Sequence, residues 1–152
     1  MRRKRLLFRN KREQGQSMIE LGISLVILLI LLSGVVDLGR VAFYYIAMKD
    51  SAQEGASFGS IFPNDCDEIE NRVLAGAVDS SRVSVALRIN GSDCGVCPTK
   101  YTSGQIIEIT VSDPAFPLTM PLIGAFIGSQ SISLETTIKD NIIRVPECPK
   151  SP

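Results

Sequence analysis

The 152-residue chain has sixteen basic and sixteen acidic residues, 45% hydrophobic residues and no histidine. Lack of histidine removes Ser-His-Asp and Cys-His catalysis and the mixed Cys/His zinc patterns, and the length suits one modest domain with an anchor. The formal net charge of zero hides a split: seven basic residues (Arg2, Arg3, Lys4, Arg5, Arg9, Lys11, Arg12) face one acid, Glu13, before Gly15, giving +6, while nine basic and fifteen acidic residues follow it, giving −6.

Residues 1–15 read as a basic leader. Behind it, Leu21 to Val36 reads LGISLVILLILLSGVV, sixteen residues without a charge. Counted from Met18 the run is nineteen residues, with Glu20 its sole ionisable group. Nineteen helical residues reach roughly 28 Å, enough to cross the hydrocarbon core. Twelve of the sixteen are Leu, Ile or Val, and their insertion energy of about −4 to −7 kcal/mol outweighs the ~2.5–3.5 kcal/mol cost of one mid-membrane charge. The expectation is a transmembrane helix over 16–37 with membrane lipid around it. Basic residues directly before an apolar span are a topology signal, so no nucleic-acid partner is expected. The same rule puts the N-terminus in the cytoplasm and everything after about Asp37 outside, in a single-pass protein of the inner or cytoplasmic membrane. A secretory signal peptide would have a shorter apolar core and an A-x-A-like exit, for which Leu32-Ser33-Gly34 is a poor substitute.

The junction of leader and span reads Gly15-Gln16-Ser17-Met18-Ile19-Glu20. A carboxylate just inside the apolar run is costly and is by default a functional residue. If the chain were cut after Gly15, Gln16 would carry a new ammonium group, and Glu20 would lie one turn away, about 6 Å along the axis. Pairing with that terminus, its own or a neighbour's, lowers the cost of the carboxylate. A basic leader, Gly, four residues, Glu and a long apolar helix resembles the type IV prepilin processing site. The resemblance implies cleavage after Gly15 by a membrane-embedded prepilin peptidase on the cytoplasmic side, and a part for Glu20 in subunit assembly.

Helical periodicity continues over 38–60. Leu38, Val41, Tyr45, Met48, Ala52 and Ala56 recur at three- and four-residue steps and form one apolar face, with Asp37, Arg40, Lys49, Asp50 and Glu54 exposed. Gly55 and Gly59 allow close backbone approach to a sheet, and Pro63 ends the helix near Ser60. Gly15-Gln16-Ser17, Glu20, Asp37-Leu38-Gly39-Arg40 and Ala52-Gln53-Glu54-Gly55-Ala56 together resemble the TadE-like pseudopilins of the Tad/Flp pilus system. A proline often found early in that family's span is absent, and Gln53 stands where the family often has Arg. The resemblance implies a non-catalytic pilus-biogenesis component whose partners are the prepilin peptidase and other pilins or assembly proteins, with no cofactor. A minor pseudopilin of a type II secretion system shares Gly15 and Glu20 and is the nearest alternative.

Residues 61–152 read as a small extracytoplasmic domain. DCDEIENRVLAGAV predicts a short helix capped by Asp65, with Ile69, Val73, Leu74 and Ala77 inward. Period-two alternation then predicts strands at Val83–Ile89, Ile107–Val111 and Ile132–Ile138, a turn at Asn90-Gly91, and an edge from Ile142 to Val145. Three prolines in DPAFPLTMPLIGAFIG argue for a buried or partner-facing loop over 114–128 rather than a second span. The fold class is therefore α+β: a long N-terminal transmembrane helix continuing into a pilin-like domain with a short helix and a small antiparallel sheet.

Cys66, Cys94, Cys97 and Cys148 all fall on the external side and suggest up to two disulfides, with three connectivities open. The Cys94-Gly95-Val96-Cys97 spacing invites a redox or binding site on a membrane-anchored module. It lies in a turn-rich connector rather than at the start of a βαβ helix, so staples are expected, and neither catalytic nor metal-ligating residues are assigned.

Overall fold

In the computed structural model, which describes residues 13–95, 101–120 and 128–145, one helix, α1, runs unbroken from Glu13 to Gly59 over 47 residues. Helix formers dominate it, and the first proline of the chain is Pro63, so nothing interrupts the backbone ladder for about 70 Å. The last turn closes through Ser60 N–H to Ala56 O (2.9 Å) and Phe62 N–H to Phe58 O (3.0 Å). Pro63 then turns the chain into α2, Cys66–Gly76. Asp65 stands at its N-cap, but its side chain makes no capping bond there; Asp67 and Glu68 supply the negative charge that suits a first turn.

Among the described residues, four antiparallel strands follow: β1 (Ser84–Ile89), β2 (Ser92–Asp93), β3 (Ile106–Pro117) and β4 (Ser131–Asn141), in spatial order β2-β1-β3-β4. Asn90 and Gly91 both have positive φ (52° and 83°), the geometry of a tight hairpin turn with matching twist. It pairs Ile89 with Ser92. β3 lies centrally, with Val85 opposite Val111 on one side and Ile109 opposite Ile138 on the other. Between Asp113 and Phe116 the β3–β4 register slips by one residue. This bulge holds Pro114, which has no N–H to offer a ladder.

One face of the sheet packs on α1 and α2. Ile107, Ile109 and Val111 of β3 alternate into a core with Tyr44, Met48, Ala52 and Ala56 of α1 and Ile69 and Val73 of α2. The other face is polar, with Thr110 and Thr137 hydroxyls 2.9 Å apart and Lys139 Nζ 3.1 Å from Glu108. Gly59 meets the sheet as the sequence suggests, whereas Gly55 lies tightest against α2. A Cβ at Gly55 would collide with Val73 Cγ2, and one at Gly59 with Ile107 Cδ1.

Three details differ from the sequence reading. The buried face of α1 is turned by about one residue near its lower end. Leu38 and Tyr45 are exposed (71% and 41%), while Asp37 and Tyr44 are buried (3% and 6%). A polar side chain took the inward place because the chain after β3 supplies it with a hydrogen-bond donor. In α2, Ile69 and Val73 are buried as expected, whereas Leu74 and Ala77 are half-buried. The segment 142–145 adds no strand. Ile142 is buried and bonds to Gly104 and Gln105 just ahead of β3 (both 2.8 Å), while Ile143 and Arg144 donate to Ser60 O (2.8 and 3.2 Å) and close the end of α1.

Candidate membrane and assembly interface

The lower half of α1 has apolar side chains on every side. Met18, Ile19, Leu21, Leu25, Leu28, Leu32 and Val36 are each more than half exposed. An 18-residue window of this helix has a mean hydropathy of 2.6 with none of it buried, and among the described residues it is the single helix long and apolar enough to cross a membrane. A helix that is apolar all round requires an apolar solvent. Among the described residues, α1 is therefore the helix suited to serve as a single-pass membrane anchor.

Gly15, Gln16 and Glu20 lie on the first turns of this helix, all exposed. A Cβ at Gly15 would meet nothing within 4 Å. Glu20 has neither a hydrogen-bond nor an ion-pair partner among the described residues. The structure thus places the three residues on one exposed helical segment, far along α1 from the body.

Where the span ends, the body folds back onto it. Asp37 Oδ2 accepts the backbone N–H of Met120 at 2.6 Å. Its Oδ1 is 3.7 Å from Arg40 Nη1, and the same Arg40 nitrogen donates to Thr119 Oγ1. A Cβ at Gly34 would lie 3.5 Å from Met120 Sδ. Leu118 N–H bonds Gln130 O (2.8 Å), drawing the two ends of the β3–β4 connection together. Of the loop expected over 114–128, residues 114–117 belong instead to β3 beyond its bulge, 118–120 and Gly128 lie in the connection, and 121–127 lie outside the described residues. Within the Asp37-Leu38-Gly39-Arg40 run, Asp37 and Arg40 hold this connection to the helix. Arg40 is exposed as its place in the helical pattern predicts, whereas Asp37 is buried; their three-residue spacing at the end of an apolar run is the available clue.

One turn further along, a polar cluster lies at the edge of the core. Asp113 is almost fully buried, with Arg82 Nη2 3.3 Å from its Oδ2 and the Ala115 N–H 3.0 Å from its Oδ1. Tyr44 packs its ring on Phe116 (centroids 4.8 Å apart), and the guanidiniums of Arg40 and Arg82 sit 5.8 and 5.9 Å from the Phe116 ring centroid. Burial, then the neighbouring Asp113 carboxylate, pushes the Tyr44 phenol up to about 12. Its hydroxyl is buried without a hydrogen-bond partner. A groove of about 250 Å³ lined by Arg40, Phe43, Tyr44, Val78, Arg82 and Phe116 opens beside this cluster. The sequence reading had not singled out Tyr44, Arg82 or Asp113, which lie far apart in the chain and carry no motif.

Cys66 and Cys94 form a disulfide across 28 residues, their Cα atoms 6.0 Å apart, tying the start of α2 to the strand that follows the hairpin turn. Of the three pairings four cysteines allow, just one contains this bond. Cys94 is thus committed to Cys66 rather than to Cys97; Cys97 and Cys148 lie outside the described residues.

Residues 15–57 match the family model described as TadE-like protein. No curated protein and no solved structure gives a match to the chain. The matched stretch is almost the whole of α1 and stops short of α2 and the sheet.

Proposed function

We propose that this chain, TadE-like over residues 15–57, is a non-catalytic membrane component of Tad/Flp-type pilus biogenesis, anchored with its N-terminus in the cytoplasm and its α+β body outside. A prepilin peptidase cuts it after Gly15, and α1 then makes lateral contacts with other pilins or assembly proteins in the bilayer. The observation that carries the reading is Glu20: an exposed carboxylate on an exposed apolar helix, without a partner in its own described chain. In hydrocarbon such a group needs a cation. The ammonium of a Gln16 terminus, on the same chain or on a neighbour, meets that need one turn away.

Two further features support it. The seven basic residues before Gly15 hold the leader on the cytoplasmic side. The bond after Gly15 lies in the first turn of α1, where backbone donors have no partner within the helix and glycine lowers helix stability by about 1 kcal/mol, so this helix end opens readily for a protease.

N-terminal sequencing of the protein from membranes of its native host tests the cut. A terminus at Gln16 is expected, and Gly15→Leu should leave the leader attached. A terminus at Met1, or one beyond Gly34, would sink the processing claim. Glu20→Ala should leave insertion intact and reduce co-purification of other pilus subunits.

A further inference from the structure

We infer that the start of the β3–β4 connection is a second membrane contact: Leu118, Thr119 and Met120 lie at the level of the outer leaflet, beside the span, and lipid covers them. The inference rests on α1 crossing the bilayer. Given that, depth follows from position along the helix. Met120 Sδ lies beside Gly34 and its N–H is held by Asp37, so the connection reaches down to residues inside the apolar run. Partial burial within residues 15–36 is confined to Ile30, Ser33 and Gly34. With Asp37 these make a single stripe at three- and four-residue steps, the side on which the body folds back.

The chemistry of the connection fits lipid better than water. From Pro114 to Leu134 the sequence has no charged residue, and Leu122 to Ile127 is unbroken apolar apart from glycine. Backbone N–H groups are what hydrocarbon penalises most in an irregular segment. Pro114, Pro117 and Pro121 have none to satisfy. The Met120 donor is taken up by Asp37 and the Leu118 donor by Gln130. Arg40, held to Thr119 and half-exposed, stands where a guanidinium meets lipid phosphates. A subunit helix seated on the same residues is the competing occupant. Lipid is favoured because Leu118 to Met120 lie against a span whose other sides are exposed.

The natural chain has no tryptophan, so a single introduced indole reports without background. The full-length protein is reconstituted into phosphatidylcholine–phosphatidylglycerol vesicles with acyl chains brominated near the headgroup or near the bilayer centre. The variants are Met120→Trp, Leu118→Trp, Leu28→Trp as the lipid reference and Ile143→Trp, at the far end of α1, as the water reference. Thr119→Trp, exposed and outside the core, carries the measurement if Met120→Trp does not fold. We expect the tip positions to be quenched by shallow bromines at least half as strongly as Leu28→Trp is quenched by deep ones, with Ile143→Trp unquenched. Blue-shifted tip emission without lipid quenching would assign these residues to a protein partner and overturn the inference. Emission like that of Ile143→Trp would place them in water and overturn it equally. An unquenched Leu28→Trp would instead bring down the anchor itself, which separates failure of the premise from failure of the inference.

Discussion

The two halves of α1 share one unbroken backbone but answer to different solvents. Below Asp37, leucine, isoleucine and valine cover the whole circumference and their side chains touch little of the body. Above it, the buried positions narrow to a stripe through Tyr44, Met48, Ala52 and Ala56, with Lys49, Asp50 and Glu54 on the open side. The lower half contributes nothing to the core of the body; its hydrophobicity is matched to lipid. The upper half is one wall of the body and is stabilised by tertiary packing, as most helices in water are. Substitutions should therefore separate cleanly: in the upper half and body they change folding, and in the lower half they change insertion and lateral association.

The largest effect on folding is expected at the disulfide. Cys66→Ser with Cys94→Ser frees a loop closed over 28 residues, which chain entropy values at about 3–4 kcal/mol. Urea unfolding of the full chain in micelles, followed by near-ultraviolet circular dichroism, should show the loss, while the far-ultraviolet signal of the lower helix survives. If the midpoint does not move, the bond is not a staple of the body.

Next in size is a pair of glycines on one helix. Gly55→Val drives a side chain into Val73 and Ile109 and should cost about 2–3 kcal/mol by overpacking. Gly22→Val, where a Cβ meets nothing within 4 Å, should leave body stability within about 0.5 kcal/mol of wild type. Equal losses at the two sites would mean that the halves are not independent.

A smaller and more local effect is expected at the boundary. Asp37→Ala leaves the Met120 N–H without its acceptor, a loss of about 1–2 kcal/mol. Amide exchange at Met120 should accelerate, while amides of β3 from Ile107 to Val111 keep their protection. Uniform acceleration across the sheet would show that Asp37 supports the whole body rather than the connection it holds.

How much of this the sequence disclosed follows from where each signal resides. The span, α2, the hairpin turn and three strands are encoded by local periodicity and turn chemistry, and Pro63 marks the end of α1 by itself. The glycine contacts were legible because small residues on a packed helix face have few other uses. The inward turn of Asp37 and Tyr44 was not legible, because hydropathy alone favours Leu38 and Tyr45. What decides is a backbone donor 83 residues away, and periodicity carries no information about that. The same holds for 142–145, whose alternation suits a strand but whose Ile143 and Arg144 donors are taken by Ser60. Gly15 and Glu20 were legible through a family pattern and a costly charge, since no contact within the described chain marks them.

The smallest effect at neutral pH is expected from Tyr44→Phe, and it also tests the upper half most sharply. The Tyr44 hydroxyl is buried beside the Asp113 carboxylate without a hydrogen bond of good geometry, so removing it takes away desolvation and at most a weak contact, and stability at pH 7 should stay within about 0.5 kcal/mol of wild type. At high pH the two proteins should part. The folded phenol is held up to about 12 by burial and by Asp113, whereas an unfolded tyrosine ionises near its ordinary value of about 10. The folded state thus keeps a proton that the unfolded state gives up. Its contribution is complete below pH 10 and is lost as pH rises through 12. Wild type should therefore lose stability across that window more steeply than Tyr44→Phe, with lysine and arginine titration common to both. Absorbance at 295 nm should show one tyrosine ionising late in wild type and not in the variant. Parallel stability profiles would mean that water reaches the Tyr44 ring, and that the wall formed by the upper half of α1 is open at this point.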